Sequence, residues 1–384
     1  ATFGYQEVNT KWYSDEMAAC GLVCRKWATR SRFWLFHELY FFGSNDDLGR
    51  WLDVAETSST IPLFPIVRGL RLQFAHRKSF KREHLARLLQ DCVHLTSISI
   101  VTVPWESRDP DCPQELDPYK TRYDTTRISY HEFLETNIPM RRDSLTSFGW
   151  WPNEEDAWCR PLGKTRVSLG MIAHIFDCLP NLEVFAMGEA ITISPHEGPL
   201  PPSSIPARLH SLDLKEVEHT HILFNWFLSL PVLPVFKSLK FQSSDEQDWV
   251  SLHAYSQLAG QALEALDIGS DHGEPPAILR HATMIRNLHL RTESTAHMLA
   301  ALSTLTSHTL QVIEITVNRA SSESDPMPYG LIEKALATPK FRGLKRFAIS
   351  DWRGPYPPPT EEIAVLMPLT HARGILDFVY EDWA

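Results

Sequence analysis

The chain has 384 residues, 43% of them hydrophobic, and a formal net charge of −10. That apolar content excludes global disorder, and the acidic balance lacks the basic footprint of a nucleic-acid binder. One compact core rarely grows past ~250–300 residues, so the length predicts several domains or one elongated array of repeats.

Starting at the N-terminus, Met17, Cys20, Cys24 and Trp27 fall at i, i+3, i+7 and i+10. They predict a helix that Ser14 caps, with Asp15 and Glu16 favouring its first turn. A second short helix is expected near Ser31–Phe36, then a strand at Leu39–Phe42.

From there one pattern recurs: apolar-x-x-apolar-x-apolar. Strong copies are Leu95-x-x-Ile98-x-Ile100, Leu182-x-x-Phe185-x-Met187 and Leu209-x-x-Leu212-x-Leu214. They continue as Phe236-x-x-Leu239-x-Phe241, Leu263-x-x-Leu266-x-Ile268, Ile285-x-x-Leu288-x-Leu290, Leu310-x-x-Ile313-x-Ile315 and Leu344-x-x-Phe347-x-Ile349. Weaker copies begin at Phe36, Val67, Leu145 and Ile375, the last with Phe378 in its middle place. From Phe185 through Leu212 and Leu239 to Leu266 the step is about 27 residues, inside the ~20–29 window of leucine-rich repeats.

Between these copies the period changes from two to 3.6. Leu85, Leu88, Leu89 and Cys92 form one stripe, and Leu169, Ile172, Ala173 and Phe176 another. Leu252, Tyr255, Ala259 and Ala262 follow, then Met298, Leu299, Leu302 and Leu305. Strands alternating with amphipathic helices predict an α/β chain: an irregular leucine-rich-repeat solenoid, with a curved parallel sheet and outer helices. Asn at the third place after the last apolar residue, usual in such repeats, is replaced by Ala190, Val217, Ser244, Asp271 or Glu293, and only Asn318 matches. Looser, more variable turns are expected. Pro-, Ser- or Asp-rich insertions are expected near 104–127, 189–206, 318–330 and 353–360.

The run Met17-Ala-Ala-Cys-Gly-Leu-Val-Cys-Arg-Lys-Trp27, followed by Ser31-Arg-Phe-Trp-Leu-Phe36, resembles the second half of an F-box. Leu22-Val23-Cys24 and Trp27 stand where that family has Leu-Val-Cys-x-x-Trp. The following Leu35–Phe41 and Pro65–Leu72 resemble the entry into the repeats of F-box/leucine-rich-repeat proteins abundant in mushroom-forming fungi. The Leu-Pro-x-Glu opening is not matched by Ala1–Lys11, so that half of the motif is missing or degenerate. The resemblance implies a partial F-box-like helical segment over residues 1–38 and a repeat array over 39–384. It also implies the role of a substrate-recognition subunit in a cullin-based ubiquitin ligase. Leu22, Val23, Cys24, Trp27, Trp34 and Leu35 would then dock on a Skp-type adaptor, or cap the first repeat, and the two roles can coexist. The alternative is a stand-alone leucine-rich-repeat module that binds protein without the ligase.

Residues between the strand anchors would face a partner, an unknown target protein. Asp213, Lys215, Lys240, Gln242, His289, Arg291 and Glu314 are the candidates, together with Ser211, Ser238, Asn287, Val312 and Thr316. The Trp-dense run Phe148–Trp158 is either a packed lid or an anchor for a partner.

No chemistry stands out. His219-x-His221 lacks a third ligand at motif spacing, His131-Glu132 lacks a second histidine, and His272 falls in a Gly- and Pro-rich turn. There is no phosphate loop, dinucleotide fingerprint or nucleophile elbow. The expectation is a non-enzyme without metal or cofactor. The most apolar run, Ile222–Phe236, is broken by Asn225, Pro231 and Pro234, and is too short for a ~20-residue membrane span. Six cysteines without a Cys-x-x-Cys pair, and no Asn-x-Ser/Thr acceptor, predict an intracellular protein, cytoplasmic or nuclear.

Overall fold

The structure, a computed structural model, describes residues 25–42, 47–57, 62–74, 80–102, 127–128, 130–152, 165–188, 191–196, 205–270, 277–292, 294–317, 327–351 and 360–378. Its strands in chain order begin with β1 (Glu38–Phe42), β2 (Gly69–Phe74), β3 (Phe80–Lys81), β4 (Ser97–Thr102), β5 (Arg127–Ile128) and β6 (Ser147–Pro152). Next come β7 (Thr165–Ser168), β8 (Val184–Met187), β9 (Ile191–Ser194), β10 (Ser211–Lys215) and β11 (Ser238–Gln242). The last are β12 (Ala265–Ser270), β13 (Asn287–Thr292), β14 (Val312–Val317), β15 (Arg346–Asp351) and β16 (Leu376–Phe378).

Twelve of these form one sheet in the order β1-β2-β4-β6-β8-β10-β11-β12-β13-β14-β15-β16. Every pairing in it is parallel. Parallel neighbours need a crossover between them, and helices supply most of these crossovers. The chain is therefore α/β, with a parallel sheet whose strands follow sequence order.

The register explains the repeat. Leu70, Ile98, Phe148, Phe185, Leu212, Leu239, Leu266, Leu288, Ile313 and Phe347 stand in one row across the sheet. Leu72, Ile100, Trp150, Met187, Leu214, Phe241, Ile268, Leu290, Ile315 and Ile349 stand in a second. All twenty are buried, within a single apolar cluster that also holds the helix stripes. Helix rings meet strand rings there: Phe176 on Phe185, Phe224 and Trp249 on Phe241. A one-residue slip would turn both rows outward, which ties register to burial. Each buried anchor contributes roughly 1.5–3 kcal/mol.

The helices start where the sequence offers a cap. Ser168 accepts from the Met171 amide at the head of Leu169–Cys178, and Asp245 from the Gln247 amide at the head of Glu246–Ala259. These bonds satisfy donors that the first turn leaves free.

The helix expected near Ser31–Phe36 lies within Arg25–His37, and most of the one expected from Met17 to Trp27 lies outside the described residues. Two expectations change. At the last strand, Leu376 pairs with Phe347 and Phe378 with Ile349. Phe378 thus occupies the second row, not the middle place assigned to it, because alternation alone fits either two-residue register. The 189–206 span carries strand β9, which pairs with β7, and β3 pairs with β5. Neighbouring strand entries are also linked by backbone. The carbonyls of Arg68, Thr96, Thr146, Glu183, His210, Lys237, Glu264, Arg286 and Gln311 each accept two successive amides of the next strand's entry, at 2.7–3.1 Å. A carbonyl has two lone pairs, so this ladder needs no particular side chain. Asn318 itself lies outside the described residues.

Candidate partner-binding surfaces

The side chains between the two buried rows stand on the opposite face of the sheet, away from the helices. Register sets Asp213, Lys240, Asp267, His289 and Glu314 side by side. One pleat further on, Lys215, Gln242, Gly269, Arg291 and Thr316 line up in the same way. The seven face residues expected from alternation thus lie on two neighbouring rows. All seven are half-buried.

Their charges engage one another. Lys240 Nζ lies 2.9 Å from Asp213 Oδ2. Asp267 Oδ2 is 3.3 Å from His289 Nδ1 and 3.4 Å from the Arg291 guanidinium. On its other side the His289 ring reaches Thr316 Oγ1 at 3.2 Å. Burial pushes the Asp213 carboxyl above the usual range, and Lys240 offsets only part of that. Burial pushes Asp267 up as well, but the bond from His289 and the charges of His289, Arg291 and Lys240 outweigh it, leaving Asp267 below the usual range. Asp267 is the hub of this network. It was absent from the expected set, although it sits between Leu266 and Ile268 in the same alternation as the others.

Asp267, His289 and Thr316 have the order of an orienting acid, a base and a hydroxyl. Strands β12, β13 and β14 each have a neighbour on both sides, so their amides are committed to the sheet ladder. The cluster sets charged and hydrogen-bonding groups at fixed spacing on the face.

Towards the other end of the sheet the same face turns apolar. Trp151, Val101 and Ala186 form a small separate cluster. A Cβ at Gly188 would come 2.1 Å from the Trp151 ring, and one at Gly149 2.7 Å from its Nε1. The two glycines thus let the indole lie against the sheet. Of the Trp-dense run, Phe148 and Trp150 fill the core and Trp151 covers the opposite face. Trp158 lies outside the described residues.

At the N-terminal edge, Trp34 is 62% exposed and Phe33 40%, and their rings meet edge to face at 5.9 Å. The His37 ring joins them. Leu35 is half-buried. Leu22, Val23 and Cys24 lie outside the described residues, as does the side chain of Trp27. The structure therefore places Trp34 on the surface, and leaves the Leu-Val-Cys part of the motif without a location.

Cys92 is buried and free, and desolvation pushes its thiol up to about 12, as fits a small core hydrophobe. Among the described residues no helix is long and apolar enough to cross a membrane. No protein-family model matches the chain, and no curated protein matches it.

Proposed function

We propose that the chain is a protein-recognition subunit: a leucine-rich-repeat solenoid capped by an F-box-like helix, working as the substrate receptor of a cullin-based ubiquitin ligase inside the cell. The observation that carries this reading is the sheet itself. Twelve parallel strands in sequence order, with two unbroken apolar rows, are what stacked strand–helix units produce. Such a stack offers a long face of fixed polar groups, suited to a partner over ~1,200–2,000 Å². It contributes no reacting group. It works by proximity, holding a target lysine near the charged ubiquitin carrier.

The exposed Phe33–Trp34 surface supports docking of a Skp-type adaptor on the helix Arg25–His37. Aromatic residues left in water cost free energy and are frequent anchors at interfaces. The second reading, a stand-alone binding module, keeps the sheet face and drops the adaptor.

The two separate in one experiment. The chain is co-expressed with a Skp-type adaptor and purified through the adaptor, beside the Trp34→Ala variant. The ligase reading expects co-purification that Trp34→Ala weakens by at least tenfold. An adaptor that retains neither protein refutes it and leaves the stand-alone module. For the sheet face, Arg291→Glu is expected to abolish capture of a bound target while leaving the adaptor contact intact.

A further inference from the structure

We infer that the turns following β10 and β11 form a binding site for one divalent transition-metal ion of the zinc type, held by His221, Asp245 and Asp248. The three residues lie 24 or more positions apart in pairs that include the histidine, and meet because β10 and β11 are neighbours in the sheet. His221 is the second residue of the helix Thr220–Ser229. Asp245 caps the helix Glu246–Ala259, and Asp248 lies in its first turn.

Each carboxylate turns one oxygen toward the histidine, and on Asp248 that oxygen also accepts from the His221 amide at 2.7 Å. Asp248 is fully buried. Its Oδ2 accepts from Ser243 Oγ at 2.7 Å, and its Oδ1 stands 2.8 Å from His221 Nδ1. Asp245 Oδ1 accepts from the Gln247 amide at 2.9 Å, and its Oδ2 stands 4.0 Å from the same Nδ1. One imidazole nitrogen and two carboxylate oxygens therefore lie within 4.8 Å of one another.

Capping accounts for Asp245 Oδ1, and bonds from His221 and Ser243 account for Asp248, but neither accounts for the direction of Asp245 Oδ2. At 4.0 Å the Asp245 oxygen is beyond hydrogen-bonding reach of Nδ1, yet it brings a second negative charge to the same ring. A cation in place of the Nδ1 proton would be shared by all three atoms. The outer bonds already present, from Ser243 and from the Gln247 amide, are of the kind that orient metal ligands and hold them ready. Polar groups at this turn are also not all satisfied. The Thr220 hydroxyl, next to His221 and fully buried, has no hydrogen-bond partner among the described residues.

The donor set selects the ion. Nitrogen with carboxylate oxygen suits zinc, whereas magnesium favours an all-oxygen octahedron and keeps its waters. Three protein ligands leave a fourth position for water. The His219 ring lies 5.6 Å from that of His221 on the same turn.

The test uses the full chain, stripped of metal by a chelator and titrated with zinc chloride against a chromophoric competitor. One equivalent is expected to bind, and cobalt(II) in its place is expected to show the visible absorption of a four-coordinate site. His221→Ala and Asp245→Asn are expected to lose that equivalent. Ser243→Ala, which removes the bond to Asp248 Oδ2 and the one that Ser243 Oγ accepts from the Asp245 amide, is expected to weaken it about 10–100-fold. Asp245 is half-exposed, so its variant keeps the assay open even where a change at buried Asp248 unfolds the chain. Failure of the wild type to take up one equivalent would overturn the site. So would equal zinc affinity in the wild type and in folded Asp245→Asn.

Discussion

Asp213 and Asp267 occupy matching places on the open face, two strands apart, yet their environments act in opposite directions. The Asp267 carboxyl lies below the unfolded value near 3.8. Its ionised form thus adds stability that is fully present above 3.8 and is lost as pH falls through the lower, folded value. The Asp213 carboxyl is raised above 3.8. Its ionisation costs stability, with no cost well below 3.8 and the full cost above the raised, folded value. Asp267→Asn is therefore expected to lower the melting temperature at pH 7, with the deficit closing in strong acid. Asp213→Asn is expected to leave it unchanged or raise it, since half-exposed Lys240 can turn to water. Thermal melts of both variants across pH decide this, and equal losses at pH 7 would contradict it. Leu212 is fully buried in the first apolar row. Leu212→Ala is expected to cost about 2–5 kcal/mol, and Leu212→Asp to unfold the middle of the array. A cooperative, wild-type-like melt of Leu212→Asp would be incompatible with its place in that row.

Successive turns are stapled on two levels. The backbone carbonyl ladder runs at the strand entries, and long donors reach back to helix ends. Lys340 donates to the carbonyls of Leu302, Ser303 and Leu305, closing the end of the helix Thr295–Thr304. Arg373 donates to Leu336 and Phe341, Thr306 to Leu279 and Arg280, and Arg141 to Leu89 and Gln90. Cations at helix C-termini complete orphan carbonyls and meet the favourable end of the dipole. Burial lowers the Lys340 ammonium from its ordinary value, so the bonds it makes offset a desolvation cost. Lys340→Met is expected to lose about 1.5–3 kcal/mol, the range for hydrogen bonds to charged groups, read from denaturant midpoints. None of these staples was legible in the sequence, because each joins residues a whole turn or more apart without a fixed spacing.

At the scale of the molecule, apolar alternation was enough to find the main-sheet strands, and the 3.6-residue stripes enough to find the longer helices. Phe378 shows the limit of that signal. Ile375, Phe378 and Tyr380 fit the pattern, but pairing sets Leu376 opposite Phe347. A period of two fixes which face a residue takes and leaves its row open. Strands β3, β5, β7 and β9 are short side pairs outside the main sheet, and their sequences carry no period long enough to announce them. The face residues were legible for the same reason as the core, since alternation that buries Leu212 and Leu214 turns Asp213 outward. What joins them was not: the Asp267 hub and the meeting of His221 with Asp245 and Asp248 arise only when adjacent turns are set side by side.

Everything above requires neighbouring turns to lie in parallel register along the chain. Zero-length carbodiimide coupling, followed by peptide mass spectrometry, tests this on the unaltered protein. Lys240 lies 2.9 Å from Asp213 across β11 and β10, and Lys237 lies 3.8 Å from Glu264 at the entries of β11 and β12. Amide links Lys240–Asp213 and Lys237–Glu264 are predicted in the native state and are expected to vanish in denaturant. Links from these lysines only to carboxylates two or more strands away would contradict the register, and with it the stack.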